Sequence, residues 1–366
     1  MFLRAAHARS AACLRARLLR LVPGIVPTLR RLPALAAIVC VVGLAALSPQ
    51  TAEAGSSTPL LDMFRSPVPH VPRETWIVSS RHAPQIDECC SVVCNSQRGR
   101  CYRAPIAALE VFRRDANGCL HRSNLDALRA SLDPTRPTVL FTHGSFITFD
   151  YFAKESPRTA QYFECGAGRP LNCVFFTWPS DGCVPTCAAA VRIRERRART
   201  NAFYLAELLH LVPPPQPGAP VVFASHSHGG EMVAATLHLL AGGTVAARRL
   251  GNPSPTRPRA LLFAPAMDNN DFAPGQAFSR ALYATPAMAL VYSRKDVATT
   301  LYPLRRPLAG LALGRTGLTA RQTAKIGPVA NRVCNVDVTR SVGHQHVWSS
   351  YLSRPNVVTM VRSYFQ

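Results

Sequence analysis

Short, uniformly apolar runs alternate with helical patterns along most of the chain. Apolar runs of strand length follow two opening strands at 75–80 and 107–112, and they lie at 138–142, 173–177, 221–224, 260–264, 289–292 and 336–338. Helical patterns lie at 188–212, at 231–241, within 308–326 and at 356–364. Apolar strands separated by helices are typical of a parallel sheet that is covered on both sides. We therefore predict an α/β fold, with a mainly parallel sheet and helices on both faces, in one domain over 74–366.

The first 54 residues have the layout of a secretory signal. A pair of arginines precedes an apolar stretch at 35–47 (LAAIVCVVGLAAL), and an A-x-A cleavage pattern ends at Ala54. We predict a signal peptide over 1–54, with an uncleaved anchor as the alternative, and a linker rich in Ser and Pro over 55–73. The protein is accordingly expected to be exported, in the periplasm, secreted, or associated with a bacterial cell envelope.

Ten of the 12 cysteines come after this region. They are Cys89, Cys90, Cys94, Cys101, Cys119, Cys165, Cys173, Cys183, Cys187 and Cys334. An even number of cysteines in an exported chain predicts disulfides, concentrated in a Cys-rich N-terminal part of the domain at about 74–130. Metal binding is the alternative, but no C-x-x-C pair follows residue 54 and no His lies within 89–101.

The chain is strongly basic, with 42 Lys and Arg against 20 Asp and Glu and a formal net charge of +22. Its 48% of hydrophobic and 17% of charged residues exclude general disorder. A field of this sign attracts anionic membrane or envelope surfaces. No zinc-finger, RNA-recognition or helix-turn-helix pattern accompanies the charge, so no nucleic-acid partner is expected. We interpret the Arg-rich stretch 192–199 as the solvated face of a helix rather than as an anionic docking face.

The strongest local signal is the sequence VVFASHSHGGE at 221–231. An apolar strand runs into Ser and His residues, and a helical pattern begins directly afterwards. A nucleophile elbow needs this order, because its Ser occupies a strained turn between strand and helix and its neighbours must be small. Ser227 is the predicted nucleophile, followed by Gly229 and Gly230. Ser225 stands where the elbow usually has Gly, and it is small enough to be tolerated.

Together with three other landmarks, the HSHGG sequence resembles a known superfamily. HSHGG is similar to the elbow of bacterial lipases among the α/β-hydrolases. A strand ending in His143-Gly144, the F-x-W-P-S sequence at 176–180, and a late Asp followed by Gly-His resemble one bacterial branch of that superfamily, a domain of unknown function. The resemblance covers about 138–365 and implies the α/β-hydrolase fold.

The resemblance also implies where an oxyanion hole would lie. In hydrolases of this fold, one donor is the backbone N–H of the residue after the His-Gly turn, here Ser145. The second is the N–H of the residue after the nucleophile, here His228. Two such donors stabilise the negative charge that develops on the substrate oxygen during acyl transfer.

Two positions are open for the acid of a triad and two for its base. The triad in this fold runs in the order Ser, acid, His. Asp296 follows the strand ALVY in the usual place for the acid and is favoured, while Asp268, close to Asp271, is the alternative. His344 follows the last strand and a Gly and is the favoured base, with His346 as the alternative.

These residues predict a serine hydrolase that works through an acyl-enzyme and needs no metal or organic cofactor. A carboxylic-ester hydrolase of the esterase or lipase kind is favoured, with a small-molecule or lipid-like ester as substrate. The basic and apolar segment 299–328 is a candidate lid, and a surface helix covering the sheet edge is the alternative. The sequence makes no prediction of the oligomeric state.

Two other functions compete with this prediction. A catalytically silent hydrolase fold would serve as an envelope or adhesion protein, although every triad position is filled by a residue of the right type. A zinc metallohydrolase with the pattern H-x-H-x-D-H would start at His226. Gly230 and Glu231 stand where that pattern needs Asp and His, which makes it the weaker alternative.

Overall fold

The computed structural model describes residues 74–85, 100–182, 187–214, 216–305 and 309–366. The predicted signal peptide (1–54) and linker (55–73) lie outside these residues. Among the described helices, none combines the length and the apolar character that crossing a membrane requires.

Nine of the strands in the described residues form one sheet. The strands are β1 (Thr75–Ser79), β2 (Arg100–Tyr102), β3 (Glu110–Arg114), β4 (Leu120–Ser123), β5 (Thr138–Thr142), β6 (Asn172–Thr177), β7 (Val221–His226), β8 (Arg248–Leu250), β9 (Arg259–Phe263), β10 (Met288–Tyr292) and β11 (Val333–Asp337). The order across the sheet is β11-β10-β9-β7-β5-β6-β1-β3-β4, and β2 pairs separately with β8. Neighbours from β11 to β1 run parallel, whereas β1, β3 and β4 pair antiparallel at one edge. The predicted mainly parallel sheet is confirmed.

Helices connect the parallel strands. They are α1 (Leu125–Ser131), α2 (Phe149–Ala167), α3 (Cys187–Leu208), α4 (His228–Leu240), α5 (Val297–Leu301), α6 (Leu313–Thr316), α7 (Ala320–Ile326), α8 (Thr339–Val342), α9 (Trp348–Leu352) and α10 (Pro355–Tyr364). Short 3-10 turns complete the connections, including one at Tyr302–Arg305 directly after α5.

The sequence pattern does not predict helix α2, because Pro157 interrupts it. Proline inside a helix removes a backbone donor and clashes with the preceding turn, at a cost of about 3 kcal/mol. Tertiary packing overrides this cost: Phe152 and Phe163 are buried against the sheet, and burying each contributes about 1.5–3 kcal/mol. The Thr148 side chain accepts a hydrogen bond from the Tyr151 N–H and caps the helix start.

The core lies on both faces of the sheet, because successive strand side chains point to opposite sides. In β5, Leu140 packs on one face with residues of α3 and α4. Phe141, the next residue, packs on the other face with residues of α2 and α10. The predicted covering of the sheet by helices on both faces is therefore confirmed.

The carboxyl ends of the parallel strands meet at one edge of the sheet, which is where α/β folds place ligands and chemistry. Gly144 follows β5, Ser227 follows β7 and Asp296 follows β10. His344 and His346 lie in the loop between α8 and α9. The topology thus gathers the predicted site residues at one edge.

The disulfide prediction finds no support in the described residues. Five cysteines form no disulfide with one another, namely Cys101, Cys119, Cys165, Cys173 and Cys334. Cys89, Cys90, Cys94 and Cys183, together with the side chain of Cys187, lie outside the described residues.

Candidate active site

Ser227 lies on a strained turn between β7 and α4. Its backbone dihedrals are φ 55° and ψ −125°, a region that costs roughly 1–3 kcal/mol for a residue with a side chain. The Ser227 N–H donates to the Phe263 carbonyl, and the Ala266 N–H donates to the Ser227 carbonyl, both at 3.0 Å. The end of β9 and the loop after it therefore hold the strained conformation in place.

Close backbone approach explains the glycines around this turn. A Cβ on Gly229 would lie 2.7 Å from the carbonyl oxygens of both Thr142 and His143. A Cβ on Gly144 would lie 2.6 Å from the Ser227 Cβ. Such distances are too short for real side chains, so glycine is what lets the end of β5 lie against the elbow.

Ser225 and Gly230 are also accommodated next to the elbow because they are small. Ser225 is fully buried, and its Oγ lies 3.8 Å from the place that a Cβ on Gly230 would take. That Cβ would lie only 2.7 Å from the Pro265 Cβ. A hydroxymethyl side chain at position 225 is therefore accommodated, while the first turn of α4 packs tightly against the loop after β9.

Ser227, His346 and Asp296 form a continuous hydrogen-bonded line. The Ser227 Oγ lies 3.0 Å from the His346 Nε2, and the His346 Nδ1 lies 2.7 Å from the Asp296 Oδ2. Asp296 is fully buried and Ser227 is 6% exposed. In such a line the imidazole can take the proton of the hydroxyl, while the carboxylate fixes its orientation and stabilises its charged form.

The structure places His346, and not the favoured His344, beside Ser227. His344 is exposed, and its Nδ1 lies 2.9 Å from the Lys295 carbonyl oxygen. The physical reason lies in the loop after β11. Helix α8 and Gly343, at φ 63°, come between the strand and the two histidines and turn the chain. The alternative base, two residues further on, consequently reaches the elbow.

Of the two acids, the favoured Asp296 meets the histidine, whereas Asp268 belongs to a different cluster. The Asp268 Oδ1 accepts a hydrogen bond from Arg305 at 2.7 Å. The Asp268 N–H donates to the Asp271 Oδ2 at 3.1 Å. Burial, and then the nearby Asp268, raise the pKa of Asp271 to about 7.

Asp296 is further held by two donors that sequence reasoning did not identify. Its Oδ1 accepts the Thr299 N–H at 3.0 Å, at the start of α5, and its Oδ2 accepts the Tyr351 hydroxyl at 2.6 Å. Burial, and then the charge of Asp296, raise the pKa of Tyr351 well above its ordinary value, so the hydroxyl stays a donor. The sequence offers one signal for Tyr351, namely that it follows His346 closely along the chain.

Ser145 and His228, the predicted sources of the oxyanion donors, lie side by side. The Ser145 Oγ and the His228 Nδ1 are 3.0 Å apart. His228 is the first residue of α4, where a backbone N–H has no partner within the helix. Gly144 brings the preceding loop against Ser227. Burial, and then the charge of Arg305, lower the pKa of His228 to about 3, so its ring is neutral at ordinary pH.

The F-x-W-P-S sequence supports the loop that carries Ser145. The Trp178 Nε1 donates to the His143 carbonyl at 3.0 Å. The Phe146 N–H donates to the Ser180 carbonyl at 2.9 Å, with Phe146 at φ 64°. The motif therefore acts as a brace that fixes the turn after β5.

A buried network of charges lies next to the first turn of α4. Arg199 pairs with Glu231 at 2.6 Å and with Glu195 at 2.7 Å. Arg305 pairs with Asp268 at 2.7 Å and with Glu195 at 3.4 Å. Burial raises the pKa of Glu231 to about 8 against the opposing charge of Arg199. Such networks are costly to break, because removing one partner leaves a buried charge unpaired.

This network corrects the interpretation of 192–199 as a solvated face. Arg192 and Arg196 are exposed as expected. Arg194, however, is 1% exposed and donates to three backbone carbonyls, and Arg199 pairs with two carboxylates. Arg194 and Arg199 therefore hold neighbouring parts of the chain together instead of facing water.

The candidate lid, 299–328, lies against the sheet edge in its described part. Its backbone pairs with the loop after β9. Leu304 and Leu311 in this segment are 52% and 44% exposed, respectively. Residues 306–308 lie outside the described residues, and movement of the segment stays a prediction.

The zinc alternative finds no supporting set of ligands around the elbow histidines in the described residues. His228 Nδ1 lies 3.0 Å from Ser145 Oγ, and the His226 ring packs 4.6 Å from the His346 ring, centroid to centroid. Within the described part of the chain, no group of three or more His, Cys, Asp or Glu side chains is placed to hold a metal ion.

Comparison with known families gives one match. Residues 122–363 match the model of a family described as "Alpha/beta hydrolase of unknown function (DUF900)". These residues carry every member of the site described above. No curated protein matches the chain significantly.

Solved structures with a similar chain course have distant sequences. Esterase B from Lactobacillus rhamnosis, crystallised with a tributyrin phosphonate inhibitor, is 12% identical with a TM-score of 0.41, covering 94% of this chain and 96% of that chain. Carboxyl esterase 2 from the mycorrhizal fungus Tuber melanosporum is 13% identical with a TM-score of 0.35, covering 90% of this chain and 96% of that chain. At these values, the two esterases give no information about the substrate of this chain.

Proposed function

The chain belongs to the family of alpha/beta hydrolases of unknown function (DUF900), and from this premise we propose that it is a serine hydrolase acting on carboxylic esters. The observation that carries the proposal is the hydrogen-bonded line from Ser227 through His346 to Asp296. The strained elbow supports the same assignment, because a strained backbone held by its surroundings is typical of a nucleophile.

In the proposed first half-reaction, Ser227 Oγ attacks the ester carbonyl carbon while His346 Nε2 takes the hydroxyl proton. The carbonyl oxygen becomes the oxyanion of a tetrahedral intermediate. Asp296 keeps the proton of His346 on Nδ1 and stabilises the imidazolium that forms. When the intermediate collapses, the bond to the alcohol oxygen breaks, His346 gives its proton to that oxygen, and an acyl-enzyme remains on Ser227.

Water completes the proposed cycle. His346 takes a proton from the water as its oxygen attacks the acyl carbon, and a second tetrahedral intermediate forms. Its collapse returns the proton to Ser227 Oγ and releases the carboxylic acid. In both halves the backbone N–H groups of Ser145 and His228 would donate to the oxyanion, which is commonly the largest single contribution to catalysis in such sites.

The substrate proposed here is a small-molecule or lipid-like ester. Export and contact with an anionic membrane or envelope surface remain part of the proposal. They rest on the signal-like pattern of residues 1–54 and on the net charge of +22.

Labelling with a fluorophosphonate probe tests the proposal, because the probe reacts covalently with an activated serine. We expect the wild type to be labelled on Ser227 and Ser227→Ala to remain unlabelled, with the modified peptide located by mass spectrometry. Ser225→Ala is the matched control, because it removes a nearby serine hydroxyl that has no partner in the described residues. An unlabelled, folded wild type would instead favour the catalytically silent fold.

Ser145→Ala is expected to lower kcat about fivefold to tenfold with little change in KM. The variant loses the hydrogen bond that joins the two sources of oxyanion donors, and a neutral hydrogen bond is worth about 1 kcal/mol. Ser145→Thr, which keeps a hydroxyl, should retain more activity. Steady-state kinetics on para-nitrophenyl butyrate give both constants, and equal kcat in the wild type and Ser145→Ala would contradict the positioning role.

A further inference from the structure

Besides the Ser225 hydroxyl and the two ring nitrogens of His226, three buried polar atoms beside the elbow have no hydrogen-bond partner among the described residues. They are the His228 Nε2, the Glu231 Oε2 and the Tyr302 hydroxyl. Each of the three residues is at most 5% exposed. Buried polar groups are nearly always hydrogen-bonded, because leaving one unpaired costs about 1–3 kcal/mol. Three such groups together point to a partner that is not part of this region of the protein.

The three groups belong to one place. His228 and Glu231 are three residues apart in the first turn of α4 and so share a face of the helix. The Tyr302 ring lies 6.1 Å from the His228 ring, centroid to centroid. The remaining atoms of two of these side chains are engaged, since His228 Nδ1 meets Ser145 Oγ and Glu231 Oε1 meets Arg199. The side chains of His228 and Glu231 are therefore each held in place by one polar atom, while the other polar atom has no partner in the described residues.

The chemistry of the three groups selects a neutral partner that both donates and accepts. Burial, and then the charge of Glu231, raise the pKa of Tyr302 well above its ordinary value, so its hydroxyl is available as a donor. An ionised group would have to leave water for this buried position, which is costly unless it is paired, and the nearby Arg199 and Arg305 already pair with carboxylates. An apolar group would leave all three atoms unpaired. A hydroxyl group, with one donor and two acceptor positions, meets these requirements.

We propose that His228, Glu231 and Tyr302 form a substrate subsite that binds a hydroxyl group carried by the ester. The subsite rests on the proposed function, because its substrate is the ester that reacts at Ser227. His228 directly follows Ser227, so the hydroxyl belongs to the acyl part or to the alcohol part of that ester. The 3-10 turn Tyr302–Arg305 carries one of the three groups, and Leu304 in the same turn is 52% exposed.

Two pairs of esters test the subsite and distinguish the two parts of the substrate. Para-nitrophenyl butyrate against its β-hydroxybutyrate analogue varies the acyl part, and ethyl butyrate against hydroxyethyl butyrate varies the alcohol part. We expect the wild type to have a kcat/KM about tenfold or more higher for the hydroxylated member of one pair. Tyr302→Phe keeps the ring and should lower that preference about fivefold. Tyr283→Phe, at a position 58% exposed, is the matched control and should leave it unchanged.

Equal kcat/KM within both pairs for the wild type overturns the subsite, and so does an unchanged preference in Tyr302→Phe. Fluorophosphonate labelling of the same preparations separates this failure from failure of the proposed function. A labelled wild type that does not distinguish the esters removes only the subsite. An unlabelled wild type removes both proposals. Normal labelling of Tyr302→Phe, with a lost preference, supports the subsite because the nucleophile is then intact.

Discussion

We expect His346→Ala to lower kcat/KM for a carboxylic ester about 10⁴-fold or more, and His344→Ala to change it less than about threefold. The large loss is expected because His346 Nε2 lies 3.0 Å from the Ser227 Oγ, and without the imidazole nothing takes the hydroxyl proton. The small change is expected because His344 is exposed and contacts the Lys295 carbonyl. The two variants remove the same side chain two residues apart, so each serves as the control of the other.

Steady-state kinetics on para-nitrophenyl butyrate, with thermal unfolding of each variant, measure this difference. Similar melting temperatures for both variants and the wild type are needed to assign the loss to chemistry. The opposite result, in which His344→Ala is inactive and His346→Ala retains activity, would contradict the assigned base. It would then require a rearrangement of the loop between α8 and α9 when substrate binds.

The elbow could be predicted from the sequence because its signal is local. A strand, small residues and the start of a helix all lie within 221–231, and the structure gives β7, Ser227 at φ 55° and α4 in that order. The inner strands could be predicted for a similar reason, since a strand buried on both faces is apolar at every position. Strand β4 lies at the edge of the sheet with polar and partly exposed side chains, so it carries no such signal.

The choice between the two histidines could not be made from the sequence, because it depends on a distant anchor. Trp348, two residues after His346, is 3% exposed, and its Nε1 donates to the Thr159 Oγ1 at 3.0 Å. Thr159 belongs to α2, the helix that the sequence pattern does not predict because of Pro157. The position of His346 therefore depends on α2, because Trp348 is anchored to that helix. Since the sequence pattern does not predict α2, the anchor is seen only in the folded structure.

The charge network beside the elbow is even harder to predict from the sequence. Arg305 and Glu195 are 110 residues apart along the chain, and no periodicity relates them. A pattern of hydrophobic and polar positions assigns an arginine to the surface by default. Arg199 is drawn inward by two carboxylates whose positions depend on the complete fold. The positions of the charged residues beside the site are thus the hardest to predict from the local sequence.

We expect Asp296→Asn to lower kcat about 10⁴-fold while the protein stays folded. Asp296 meets three donors, namely the Thr299 N–H, the Tyr351 hydroxyl and the His346 Nδ1–H. Asparagine offers one acceptor oxygen and one NH₂ group, so the amide cannot accept from both sides of the carboxylate. When the NH₂ group faces His346, the imidazole takes the other tautomer. Its Nε2 then carries a hydrogen towards Ser227 and cannot accept the hydroxyl proton.

Asp268→Asn is the matched comparison, because Asp268 was the alternative acid and bonds to Arg305 rather than to a histidine. We expect it to lose less than about tenfold in kcat and to lower the melting temperature, since it removes a buried partner of Arg305. Kinetics at saturating ester and thermal unfolding of both variants make the test. A 10⁴-fold loss in Asp268→Asn with an active Asp296→Asn would reassign the acid. It would also show that the hydrogen bonds from Ser227 through His346 to Asp296 are not needed for the reaction.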